Sequence, residues 1–245
     1  MKKMLFAATV AAVAGTSSAQ LLHFDDFNYA DGSLVGNAGW NNHSGTPGDL
    51  LVSSGQAIVQ HGTPSEDANT GIFAGTAGDI FYGIDFTVSS SGQIIGTDHE
   101  YFAHFNEFGT FNFRGRLDIV AAPGGGDFSV GISSSTSTAQ ATWASDLSFG
   151  TTYRAVVGYD QVAGVAQLWI DAALSSDTSI MGDPGGTGSM NVFALRQSDS
   201  DLNETVAVDN LTVGGTFEDV VNFVPAPASA ALLGLGGIAA IRRRR

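Results

Sequence analysis

The acidic residues of this chain carry its most suggestive spacing. In "DSDLNE" the side-chain oxygens of Asp199, Asp201 and Asn203 recur at i, i+2 and i+4. A calcium loop is built that way, because Ca2+ collects roughly six to eight oxygens from carboxylates, amides and carbonyls. The run has Glu204 where an EF-hand turns on glycine and Asn210 where it closes on glutamate, so it is not an EF-hand. "DDFNYADG" offers Asp26, Asn28 and Asp31 in a second, incomplete set. The competing reading of both is a solvated acidic turn. Catalytic patterns are harder to find. Glu100 and Glu107 in "DHEYFAHFNE" are the densest carboxylate pair, but their odd separation sends them to opposite faces of a regular strand. Neither G-x-S-x-G nor H-E-x-x-H occurs. His23, His43, His61, His99 and His104 are scattered, and His104 among Phe102, Phe105 and Phe108 reads as a packed core or sheet histidine. A sugar platform needs an exposed ring. Of Trp40, Trp143 and Trp169, Trp143 in "ATWASD" lies between strands and is the candidate.

Composition narrows the partners. Hydrophobic residues make up 43% of the 245 and charged residues 14%, which allows a packed core. The net charge is −14, unevenly laid out: Lys2, Lys3 and Arg242 to Arg245 account for six of the ten basic residues. Between those ends only Arg114, Arg116, Arg154 and Arg196 face all 24 acidic residues, an excess of 20. Such a segment repels nucleic acid and anionic lipid. With no cysteine, disulfides, thiol catalysis and thiolate zinc sites are excluded. Thirty-two glycines without a strict period imply many tight turns.

Both ends read as processing signals. Lys2 and Lys3 precede an apolar run from Met4 to Ala14, and Ser17 and Ala19 are small. Residues 1–19 are thus a secretory signal helix, to be cut by signal peptidase between Ala19 and Gln20. At the other end, the 16 residues from Ala226 to Ile241 carry no charge. As a helix they span about 24 Å, short of the roughly 30 Å hydrocarbon core. Arg242, Arg243, Arg244 and Arg245 then halt translocation on the cytoplasmic side. The stretch 224–245, with Val224-Pro225-Ala226-Pro227, a short apolar transmembrane helix and an arginine cluster, resembles the PEP-CTERM sorting signal. That resemblance implies export, transient anchoring through the C-terminal helix and processing by an exosortase-type sorting enzyme. Ala226 stands where that signal has glutamate.

Between them, residues 20–223 alternate with period two. Tyr82, Ile84, Phe86 and Val88 fall on one face, as do Tyr153, Ala155, Val157 and Tyr159, before a reversal near Gly164 into "VAQLWID". In "NFRGRLDIV" strict alternation puts Phe113, Leu117 and Ile119 inside and Arg114, Arg116 and Asp118 outside. Short strands punctuated by "APGGGD" and "GDPGGTG" predict an all-β, antiparallel two-sheet β-sandwich. "FNYADGSLVGNAGW", "FGTTYRAVVGYDQVAGVAQLWIDA" and "VAVDNLTVGGTFEDV" resemble bacterial LamG-like, concanavalin A-type jelly-roll domains. The resemblance rests on structural residues. It implies that first and last strands pair, giving an alternative calcium pair of Asp26 and Asp209. The E-x-D-x-E strand of glycoside hydrolases on this fold is absent, and "GQIIG" has isoleucine where lyases of the fold have histidine. The resemblance therefore implies a non-catalytic, lectin-like domain at the cell surface or outside the cell, with extracellular polysaccharide as partner and Ca2+ as a structural ion. A glycan-active enzyme and a purely structural envelope protein are the alternatives. If the end signals act as read, intact-mass analysis of the exported protein will give a chain that begins at Gln20 and lacks its C-terminal arginines.

Overall fold

Alternation builds the core. In β7 (Asp79–Ser89) Ile80, Tyr82, Ile84, Phe86 and Val88 are completely buried, while Phe81, Asp85 and Thr87 on the other face stay partly open. The computed structural model describes residues 21–61, 65–72, 78–96, 100–197 and 204–221. Within them, sixteen strands form two antiparallel sheets. The nine-stranded sheet runs β14 (Ile180–Met181), β13 (Val165–Ile170), β12 (Thr152–Asp160), β7, β16 (Thr205–Gly214), β5 (Gln56–Gln60), β4 (Leu51–Ser53) and β2 (Gly32–Ser33). β1 (Leu21–Asp25) pairs the later half of β16, from Leu211 to Gly214, so first and last strands do meet. The seven-stranded sheet runs β11 (Ala141–Thr142), β10 (Ser129–Ser133), β9 (Phe113–Val120), β8 (Glu100–Asn106), β15 (Val192–Arg196), β6 (Glu66–Gly71) and β3 (Asn41–Gly45).

Face to face, the sheets enclose one apolar core. Tyr82 from one sheet meets Phe105 and Phe193 from the other with ring centroids 5.0 and 5.1 Å apart, near edge-to-face. The β12–β13 hairpin reverses as its sequence requires, with Gly164 in the left-handed region at φ 70. On the outer face of the nine-stranded sheet, the short helix α1 (Phe217–Val221) lays Phe217 and Val220 over Val156 and Trp169 as a second, small apolar cluster. The signal residues 1–19, Gln20 and the sorting stretch 224–245 lie outside the described residues. Among those described, no helix is long and apolar enough to cross a membrane.

Two irregularities break the alternation in the seven-stranded sheet. The register of β8 against β9 shifts between Tyr101 and Ala103, and again between Ala103 and Phe105. The first shift inserts a residue in β8, so that Phe102 and Ala103 both join the core and Tyr101 and His104 share the outer face. The second inserts a residue in β9 at Gly115, whose φ of 57 is left-handed. Strict alternation therefore fails for Phe113. It is not a core residue; it packs outside with Arg116, against His43, Tyr101 and His104. Arg114 moves off that face, and its Nε donates to the Gly186 carbonyl. A bulge leaves backbone groups without ladder partners, and a buried carbonyl needs one. Tyr82 Oη supplies it by donating to the Gly115 carbonyl at 3.0 Å, and the Gly115 amide donates to the Ser134 carbonyl. Tyr82→Phe should thus cost about 1–3 kcal/mol for the stranded carbonyl. Differential scanning calorimetry should show a drop of about 2–4 °C per kcal/mol in a domain of this size.

Candidate functional site

The bulges place a run of rings on the outer face of the seven-stranded sheet. Phe111 stacks on His43 at 5.5 Å and 28°. Phe113 lies 5.5 Å from His43 and 4.4 Å from His104, and His104 lies 5.6 Å from Tyr101. Tyr101, His104 and Phe113 are buried yet stand apart from the inter-sheet core. At the β8–β9 turn the run opens to water, with Phe108 77% and Phe111 76% exposed. That turn is well held. Asn106 Nδ2 donates to the Thr110 carbonyl at 3.0 Å, the Phe108 amide to Asn191 Oδ1 at 2.7 Å, and Asn112 Nδ2 to Glu107 Oε2 at 3.0 Å. Two bare phenyl rings on an ordered turn are a preformed apolar surface.

Charge sits at the inner end. The Arg116 guanidinium lies 4.6 Å from the Tyr101 ring centroid and 5.4 Å from that of Phe113, and Arg196 lies 4.3 Å from Tyr101. Such cation–ring contacts are favourable when desolvated. Arg196 Nη1 also pairs Glu100 Oε2 at 3.1 Å. Asp118 stands opposite Tyr101 in register, fully buried, with neither carboxylate oxygen hydrogen-bonded. Burial pushes its carboxyl well above the usual range, against the opposing pull of Arg116. Burial also drives His104 down to about 3, so its ring is neutral, with Nδ1 against the Phe105 carbonyl at 3.0 Å. The face thus combines ring surfaces, guanidinium donors and a carboxyl whose burial favours the neutral form. Stacking and hydrogen bonding to a polyhydroxylated ligand is what such a set can do.

The residues singled out in the sequence lie elsewhere. Asp199, Asp201 and Asn203 fall outside the described residues, as do Ala19, Val224, Pro225, Ala226, Pro227, Arg242, Arg243, Arg244 and Arg245. Asp26 is exposed, its Oδ1 accepting the Asn28 amide. Asp209 is cross-strand from Asp85, and its carboxyl is raised first by burial and then by Asp85, Asp26 and Asp25. Pairing of β1 with β16 therefore brings Asp26 and Asp209 into electrostatic reach, but the oxygens around them are already engaged. Asp85 bonds Arg154 and Asn210. Asp25 accepts from the Phe27 amide, Tyr29 and Trp40, and Asp209 accepts from the Asn210 amide. The set does not fit a calcium shell. Among the described residues, no group of three or more His, Cys, Asp or Glu side chains could hold a metal. Trp143 is half-buried against the main core, Trp40 lies within it, and Trp169 is covered by α1. Beside Trp169, a groove of about 260 Å3 is edged by Asp79 and Asp160, but no cationic residue lines it.

Sequence reasoning passed over Phe111, Tyr101, Arg116, Asp118 and Arg196 as a set. The available signal was the glycine inside "NFRGRLDIV", since an isolated glycine in a strand marks a bulge.

Comparison with known proteins agrees on architecture. The chain superposes with a TM-score of 0.51 on the Lotus tetragonolobus seed lectin, at 10% identity over 79% of this chain and 97% of that one. It also superposes at 0.51 on basic winged bean lectin with Tn-antigen, at 11% identity over 78% and 96%. A sialidase gives 0.52 at 14% identity over 82% of this chain, which corresponds to 19% of that enzyme's length. No protein-family profile and no curated protein sequence matches. The chain has the concanavalin A-like jelly-roll fold of legume-type lectins, and identities this low establish the fold alone.

Asp118 makes a test of the inner end. A carboxyl raised by folding is no burden below its ordinary value of 3.8, and costs stability progressively as pH rises above it. Asp118→Asn should therefore raise the melting temperature at pH 7, and the gain should shrink towards pH 4 when both proteins are melted across that range. His104 acts in the opposite sense in both proteins, losing stability as pH falls from 6.5 towards about 3.

Proposed function

We propose that this is an exported, non-catalytic, lectin-like protein that binds polysaccharide along the outer face of its seven-stranded sheet. One observation carries the reading: exposed Phe111, on the same turn as exposed Phe108, is the open end of a run of rings that continues through His43 to buried Phe113 and His104. Pyranose rings present flat C–H surfaces that stack on phenyl faces, and successive rings along one face suit a chain rather than a single sugar. Similarity of fold to seed lectins supports the same reading.

The finer parts rest on sequence. LamG-like kinship follows from the strand motifs. The signal peptide, signal peptidase cleavage, PEP-CTERM-like sorting by an exosortase-type enzyme and final placement at the cell surface or outside the cell follow from the two termini. A structural calcium ion, in this reading, falls to Asp199, Asp201 and Asn203, supported by their spacing in the sequence. A glycan-active enzyme is a second reading, favoured by the unpartnered acid of Asp118 beside Tyr101 and Arg116. Detection of new reducing ends or unsaturated sugars in the binding samples would select it.

Affinity electrophoresis against a panel of soluble polysaccharides tests the main reading. Phe111→Ala should weaken binding about tenfold, equivalent to about 1.4 kcal/mol. Phe108→Ala should act in the same direction, and neither should lower the melting temperature, since both rings are exposed. Retained affinity in the double variant would remove the ring run from the function.

A further inference from the structure

The four arginines between residue 20 and residue 223 are not equivalent. Arg114 donates to the Gly186 and Phe113 carbonyls. Arg154 bonds Asp85, the Asn210 and Val220 carbonyls and Thr212. Arg196 pairs Glu100. Arg116, only 8% exposed, donates no hydrogen bond to any described residue, and its Nε is enclosed without a partner. It lies against the ring faces of Tyr101 and Phe113 and within electrostatic reach of Asp118. A largely buried guanidinium without an acceptor is costly, and in a chain with 24 carboxylates a partner would be easy to supply.

Resting on the polysaccharide-binding reading, we propose that the Arg116 guanidinium receives the carboxylate of an acidic sugar unit, so that the preferred ligands of this face are polyuronates. The planar fork of arginine matches a carboxylate through two parallel N–H donors. Stacking on Tyr101 and Phe113 fixes the plane of that fork before the ligand arrives, which reduces the ordering cost of binding. The nearby carboxyls do not take the role. Glu100 is engaged by Arg196, Asp67 is hydrogen-bonded by Ser44, and Asp118, two residues along β9, leaves both oxygens unbonded. Burial also favours the neutral form of Asp118, which weakens it as a competing anion. The overall acidity of the chain does not forbid an anionic ligand. At ~0.15 M salt the Debye length is about 8 Å, so distant surface carboxylates are largely screened while a contact at Arg116 is not.

Isothermal titration at 0.15 M salt with polygalacturonate and with its fully methyl-esterified form is the test, since the two share a backbone and differ in charge. The expected result is at least tenfold tighter binding of the free acid, with Arg116→Gln abolishing the difference between the two ligands. Arg116→Lys, which keeps the charge and loses the fork, should recover only part of the preference. Equal affinity of the wild-type protein for acid and ester would overturn the polyuronate assignment while leaving polysaccharide binding in place. Failure to bind these two ligands, together with laminarin and dextran, would overturn both. The wild-type comparison decides the matter even if substitution at Arg116 prevents folding.

Discussion

The hydroxyl of Tyr82 crosses the sandwich core to the Gly115 carbonyl, and the candidate site depends on that bond. A strand shows alternate residues to alternate faces, so one inserted residue exchanges the faces of everything beyond it. At Gly115 the insertion turns Phe113 outward beside Arg116, and the carbonyl it frees points into an apolar interior. Tyr82 satisfies that carbonyl from the opposite sheet while its ring packs against Phe105 and Phe193. Core packing and the outer face are thereby coupled through one residue. The matching insertion at Phe102 in β8 aligns Tyr101 and His104 with the same face.

Electrostatics shape the site as much as packing. Burial keeps His104 neutral and favours the uncharged form of Asp118, and Glu100 is the carboxylate that ion-pairs Arg196 at that corner. On the far side of the sandwich the opposite arrangement holds. There Arg154 gathers Asp85, the Asn210 carbonyl, Thr212 and the Val220 carbonyl, tying β12, β7, β16 and α1 together. One arginine is saturated with hydrogen bonds, while Arg116 is largely buried against rings and donates none to a described residue. With four cations in the whole segment, the difference separates scaffold from site.

Closure of the fold relies on the first and last described strands meeting. β16 pairs β5 along Thr205 to Val208 and β1 along Leu211 to Gly214, with β7 on its other edge. Asp25 at the end of β1 then accepts from the Phe27 amide, Tyr29 Oη and Trp40 Nε1 at 2.7, 2.8 and 2.7 Å, which anchors Trp40 in the core. These bonds spend the oxygens that a calcium ion would have needed near Asp26 and Asp209.

Much of the architecture was legible from residue pattern. Alternation in β7 and β12 and the Gly164 reversal follow from burying one face of each strand, a requirement that acts locally and leaves a period in the chain, whereas the pairing of first and last strands was implied by the family resemblance. Charge layout likewise restricted the partners, because net charge is a sum over residue types. The candidate site was not legible in that way. Phe111, Phe113, His104, Tyr101, Arg116 and Arg196 come from three strands and a turn, and their adjacency depends on register between strands distant in sequence. Two single-residue insertions decide which face each side chain takes, and nothing in strict period-two reading distinguishes Phe113 outside from Phe113 inside. Whether an arginine has a partner is a property of the space around it. That Arg116 lies against the rings of Tyr101 and Phe113 and donates no hydrogen bond to a described residue was decided by tertiary structure alone.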